Sequence, residues 1–187
     1  MEAPFWHYLL HIIPVAAISF SHGQPDLCTL ACRFIAMNEV FRIHVESLHP
    51  FFEKLMSMSP VKVRALPNQM PKSGVYLFSE SETHWYVGRA DRLRRRLREH
   101  CRTSSGHNSA PFAFLLARED VKKRQIDGTR KPLETHEIFG PAFVAAKKRV
   151  KRMDVRYVEQ KDPLRQALLE MYVAITLDTK YNSFDNH

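Results

Sequence analysis

The chain has 187 residues, 44% of them hydrophobic, which is enough for one domain burying roughly 70% of its unfolded surface without disulfides. Its cysteines are Cys28, Cys32 and Cys101, an odd number that fits a reducing, cytoplasmic compartment better than a disulfide framework. The net charge is +8, and residues 1–36 carry one Arg against Glu2 and Asp26, so the remainder holds +9; a basic domain of this kind suits a polyanion such as nucleic acid, with a membrane surface or plain solubility as the other readings.

In chain order, the first feature is the apolar run from Phe5 to Phe20. It contains His7, His11 and Pro14, is shorter than the roughly 18 apolar residues of a membrane helix, and follows Glu2 rather than a basic leader. No stable membrane association is expected. Cys28, Cys32 and His22 lack a fourth ligand at zinc-finger spacing, so two small apolar cysteines on a helix are expected instead. From Met37, residues Val40, Ile43, Leu48, Phe51, Phe52 and Leu55 recur at helical spacing between charges, predicting amphipathic helices broken near Pro50. Pro60, Pro67 and Pro71 mark a linker. We divide the chain into 1–36, an apolar appendage upstream of a true start at Met37; 37–71, a helical extension and linker; and 72–187, the main domain.

Within 72–187 the pattern predicts a strand over 74–79, a turn, and a strand over 84–88. A helix capped by Asp91 follows to about Cys101. Next come a helix after Pro111, a polar connection through Gly128 and Pro132, and a helix around 141–152. A third strand over 153–158 precedes a last helix that Asp162 and Pro163 open and that ends near Asp178.

Several side chains in this frame are suited to chemistry. On a helical wheel Leu93, Leu97 and Cys101 form the buried stripe of the 91–101 helix. Arg96 and His100, one turn apart, share the edge of that stripe. Arg94, Arg95 and Arg98 point farther out, toward solvent or flanking phosphates. Lys147, Lys148, Lys151 and Arg152 are further candidates for phosphate contact. Glu170 is the lone full charge in Ala167–Leu177, ALLEMYVAITL, and a carboxylate on such a helix requires a metal ion or an arginine beside it. Tyr76 and Tyr86 stand next to Gly74 and Gly88, which permit close backbone approach. His84, His107 and His136 have no partner at a recognisable spacing.

The stretch SGVYLFSESETHWYVGRADRLRRRLREH joins Gly74-Val75-Tyr76 to Tyr86-Val87-Gly88 across nine residues and leads into an arginine-rich helix. In this it resembles the GIY-YIG nuclease family. The resemblance implies an α/β (α+β) fold, a small three-stranded antiparallel sheet flanked by helices, here with a helical N-terminal extension. It implies an endonuclease that hydrolyses DNA phosphodiester bonds with Mg2+ or Mn2+; a silent nucleic-acid-binding module or a protein-interaction domain of the same fold are the alternatives. The catalytic set it implies is Tyr76, Tyr86, Arg96, His100 and Glu170, with Glu170 as metal ligand and Gly74, Gly88, Arg89 and Asn182 in support. Tyr76 would position or deprotonate the water, its phenol lowered by Arg89 or relayed by His100. Arg95, adjacent to Arg96, and Asn186, near Asn182, are the alternatives in register.

Overall fold

The computed structural model describes residues 37–126 and 128–182. The apolar run 5–20, Cys28, Cys32 and Asn186 lie outside the described residues. A compact unit begins at Asn38.

Alternation of apolar side chains along the central strands gives the sheet two buried faces, and each is covered by helices. The elements are α1 (Glu39–Glu46), α2 (His49–Ser57), β1 (Val61–Lys62), β2 (Gly74–Glu80), β3 (Thr83–Ala90), α3 (Leu93–Cys101), α4 (Pro111–Val121), the short α5 (Arg130–Leu133), α6 (Phe139–Arg152), β4 (Asp154–Glu159) and α7 (Pro163–Thr176). The architecture is mixed α and β, with a four-stranded sheet in the order β1-β4-β2-β3 and every pairing antiparallel. The sequence predicts three strands. The fourth, β1, pairs only Val61 with Val155 and Lys62 with Asp154, and two residues between prolines carry no periodic signal.

The register sorts β2 cleanly. Tyr76 lies opposite Gly88 and Tyr157, and Phe78 opposite Tyr86 and Val155; this face joins Leu93 and Leu97 of α3, Phe112 of α4 and Phe143 of α6 in one core. Val75 and Leu77 point the other way, toward Val87, Val158, Leu169 and Val173 of α7, and Leu48 and Leu55 beside α1 and in α2. The helical extension thus supplies part of the second core.

Local chemistry explains most boundaries. Asn38 caps α1, accepting from the amides of Val40 and Phe41 at 3.0 and 3.2 Å. The break predicted at Pro50 falls earlier, at Ser47–Leu48, because Pro50 sits in the first turn of α2, where its missing N–H costs no helical bond. Asp91 does not cap α3; Arg92 occupies that place without a side-chain bond, and the Leu93 amide donates instead to the Lys72 carbonyl at 2.8 Å. Asp162 caps α7 as expected, accepting from the Arg165 amide at 2.8 Å, with Pro163 in the first turn. The β2–β3 turn holds Ser81 and Glu82 at φ 49° and 68°, as a two-residue hairpin turn requires.

Leu55 is fully buried on the face away from the arginine-rich helix. Leu55→Ala is expected to destabilise the fold by about 2–5 kcal/mol, measured by urea unfolding. A change within ~0.5 kcal/mol would show that α2 is dispensable to the second core.

Candidate active site

The site is built around one glycine on an edge strand. A Cβ at Gly88 would lie 2.5 Å from Tyr76 Cζ, so the phenol of β2 rests across the bare backbone of β3. At Gly74 an added Cβ would strike the Val158 carbonyl, so this glycine serves the β2–β4 packing. Tyr76 is 1% exposed and His100 0%, and the Tyr76 hydroxyl bonds His100 Nε2 at 2.7 Å. Tyr86 is half-buried and stacks on Phe112, with ring centroids 4.9 Å apart and planes within 7°. Both Tyr76 and Tyr86 pack edge-on to His100, with centroids at 5.6 Å.

Arg96 faces this pair. Burial pushes the Tyr76 phenol well above its ordinary value, Tyr86 adding to the effect, and the Arg96 charge pulls it back in part. Tyr86 is raised for the same first reason and is likewise opposed by Arg96. Burial opposes the charge on Arg96, yet Tyr76, Tyr86 and Glu99 hold its pKa above the usual guanidinium value. Its Nη1 reaches the carbonyls of Asn108 and Ser109 at 3.4 and 3.3 Å. Arg95 points outward, is 66% exposed and pairs with Glu99 at 2.6 Å. The two adjacent arginines therefore occupy different surroundings, and Arg96 is the one beside the phenols.

Glu170 approaches from α7. Its Oε2 accepts from Arg89 Nε at 2.9 Å; among the described residues Oε1 accepts no hydrogen bond. Burial raises its pKa, while Arg89 and then Arg96 lower it. Its charge in turn raises both phenols, so Glu170, Arg96, Tyr76 and Tyr86 share one electrostatic field. Arg89 belongs to Glu170; the cation that acts on Tyr76 is Arg96. Among the described residues no three His, Cys, Asp or Glu side chains form a metal cluster. A lone, partly dehydrated carboxylate with one free oxygen still fits Mg2+, which is commonly held by one or two carboxylates with water and substrate phosphate.

Asn182 closes the edge of β3. Its Oδ1 accepts from the Val87 amide and its Nδ2 donates to the Val87 carbonyl, each at 2.8 Å, and Thr179 Oγ1 donates to Oδ1 at 2.9 Å. The side chain thereby satisfies the outward peptide groups of an edge strand between Tyr86 and Gly88.

Three features lie outside the expected set. Phe112 supports Tyr86 from α4, and the 108–109 carbonyls hold Arg96. Lys147, expected as a phosphate contact, is instead 4% exposed, because its Nζ donates to the Thr103 and Ser105 carbonyls at 2.6 and 2.8 Å. Helical spacing separates it from its exposed neighbour Lys148: Lys147 follows Phe143 by four residues and precedes Val150 by three, on the buried stripe of α6. His107 is satisfied by Glu134, and His136 accepts from the Ile138 and Phe139 amides. Burial pushes the Cys101 thiol up to about 12, leaving it an inert core side chain at neutral pH.

His100 makes the site a pH sensor of stability. Burial, aided by Arg96, holds its folded pKa well below 6.5, whereas the unfolded chain titrates near 6.5. Between those values only the unfolded state takes up the proton, so stability is full above about 6.5 and falls as pH drops below it. Thermal unfolding from pH 7.5 to 5.5 is expected to show a steeper loss in the wild type than in His100→Gln. Parallel slopes would mean that His100 titrates as a free imidazole.

No family model matches the chain, and no curated protein or solved structure matches it.

Proposed function

We propose that the chain is a divalent-metal-dependent endonuclease of the GIY-YIG kind, cutting phosphodiester bonds in DNA. The observation that carries this reading is the Tyr76–His100 hydrogen bond with Arg96 beside it and Glu170 acting on the same phenols. Phosphodiester hydrolysis needs a placed water, a proton acceptor, and positive charge near the phosphoryl oxygens. The residues supply each. Arg96, held by two carbonyls and facing the phenols, neutralises charge developing on a non-bridging oxygen.

Tyr76 is a neutral phenol at pH 7, since burial raises it. It therefore acts as a relay: its oxygen takes a proton from the attacking water as its own proton passes to His100 Nε2, leaving hydroxide and an imidazolium. In the Nδ1–H tautomer of neutral His100, Nε2 is available for that proton. Tyr86 stacks on Phe112 and packs against His100, and Asn182 fixes the strand that carries it. Glu170 would hold Mg2+ or Mn2+, which supplies charge to polarise the phosphate and stabilise the departing oxygen.

The burial of Tyr76 favours a second reading, a nucleic-acid-binding module without catalysis, because a relay must meet water. Nicking of supercoiled plasmid with Mg2+ and with chelator separates the two. The wild type is expected to nick only with metal. Glu170→Gln is expected to abolish nicking while retaining DNA binding, and Arg96→Ala to lower the rate by on the order of a hundredfold or more. Binding without metal-dependent cutting would establish the silent module, and an equal loss in Arg95→Ala would move the catalytic role one residue back.

A further inference from the structure

A second cationic feature lies on the outer side of α3, away from Tyr76. A groove of about 330 Å3 runs between residues 70–72 and the first two turns of that helix, lined by Met70, Pro71, Lys72, Arg92, Leu93 and Arg98, with Arg94 and Arg95 alongside. Among the described residues no acidic side chain lines it. Its walls are tied together: the Lys72 carbonyl accepts from the Leu93 amide at 2.8 Å, and Arg94 Nη2 donates to the Pro67 carbonyl and, at 3.1 Å, to that of Asn68. The linker is thus a fixed wall rather than a passing strand.

Surface cations of this chain fall into paired and unpaired sets. Arg42, Lys62, Arg149 and Lys180 each pair with a carboxylate within 2.9 Å. Among the described residues Lys72, Arg92 and Arg98 pair with none, and all three are exposed. Arg95 does pair, with Glu99, and Arg94 is engaged by the linker. Three uncompensated cations over an apolar floor of Met70, Pro71 and Leu93 make a fixed positive field at a low-dielectric surface.

The charge selects a ligand. Arg92 stands at the N-cap of α3 and Arg98 in its second turn, and exposed cations on a wall without carboxylates suit the phosphates of a nucleic-acid backbone. The same helix carries Arg96 at the candidate active site.

Building on the endonuclease reading, we propose that the groove of Lys72, Arg92 and Arg98 binds the sugar-phosphate backbone of the DNA substrate beside the phosphate that is cut, and so sets where along the strand Arg96 engages. Arg92 and Arg98 contact neighbouring phosphates of one strand, and Lys72 contacts them from the linker wall. The groove reads charge and carries no base readout.

The test measures binding of the full wild-type chain to a fluorescent 20-base-pair duplex by anisotropy, in chelator to prevent cutting, across a salt series. Lys72→Ala/Arg92→Ala/Arg98→Ala is compared with Lys122→Ala/Lys123→Ala/Arg124→Ala, which removes the same charge from the turn after α4; circular dichroism and thermal unfolding verify that both variants fold. The groove variant is expected to bind at least tenfold more weakly at moderate salt. Its slope of log affinity against log salt is expected to flatten by roughly 2 to 3, near 0.9 per lost phosphate contact. Equal flattening in the two variants would overturn the groove and leave the DNA reading standing. Groove-dependent binding to phosphatidylserine vesicles in preference to duplex would assign the site to a lipid surface and also overturn it. A wild type that binds no duplex at low salt would end both the groove assignment and the endonuclease reading.

Discussion

The hydrogen bond between the Tyr76 hydroxyl and His100 Nε2 ties the central strand of the sheet to the arginine-rich helix, and the arrangement of the site follows from it. For that bond to form, the phenol must cross to the neighbouring strand, where any side chain at position 88 would block it. With the bond formed, a polar pair is sealed among Phe78, Tyr86 and the helix. Burying such groups without a partner costs on the order of 1–3 kcal/mol each, so each holds the other in place. The same burial that fixes the pair also sets its protonation: phenol up, imidazole down, both neutral at pH 7.

A neutral buried pair next to two ionised groups gives the site its polarity. Arg96 stands on one side, its charge tolerated because the Asn108 and Ser109 carbonyls and Glu99 compensate it. Glu170 stands on the other, compensated by Arg89. These groups come from opposite faces of the sheet: Tyr76 belongs to the core under α3, α4 and α6, whereas α7 buries Leu169 and Val173 in the other core. Only at an edge strand can groups from both layers act on one another across so little protein. The position of β3 at the end of the sheet is therefore part of the chemistry.

The order of elements was legible in the sequence because it rests on local rules: the glycine-bounded strands, the Asp162–Pro163 helix start and the proline at the head of α4. The facing of Arg96 also followed from helical periodicity, since Leu93 and Leu97 fix the buried stripe. What escaped was set by distance. β1 exists only because β4 offers it an edge. Asp91 is a good cap by type, but the Lys72 carbonyl, 21 positions earlier, satisfies the Leu93 amide first. Lys147 reads as a surface cation, and only the fold places two bare carbonyls under it. Arg89 sits one residue after the Tyr-Val-Gly strand, yet strand alternation turns it away from Tyr76 and toward α7.

Asn182 shows how such distant terms fix a site. An edge strand leaves alternate peptide groups facing outward, and at Val87 both the N–H and the C=O would otherwise meet solvent or another chain. A side-chain amide donates and accepts in parallel, so Asn182 matches that peptide as a neighbouring strand would. The Tyr181 amide extends the match to the Trp85 carbonyl at 3.2 Å. Tyr86 lies between those two anchored residues. Its ring is held against Phe112 by a backbone that has lost its freedom on both sides, and this is how a segment beyond the last helix takes part in a site made by the first two long strands.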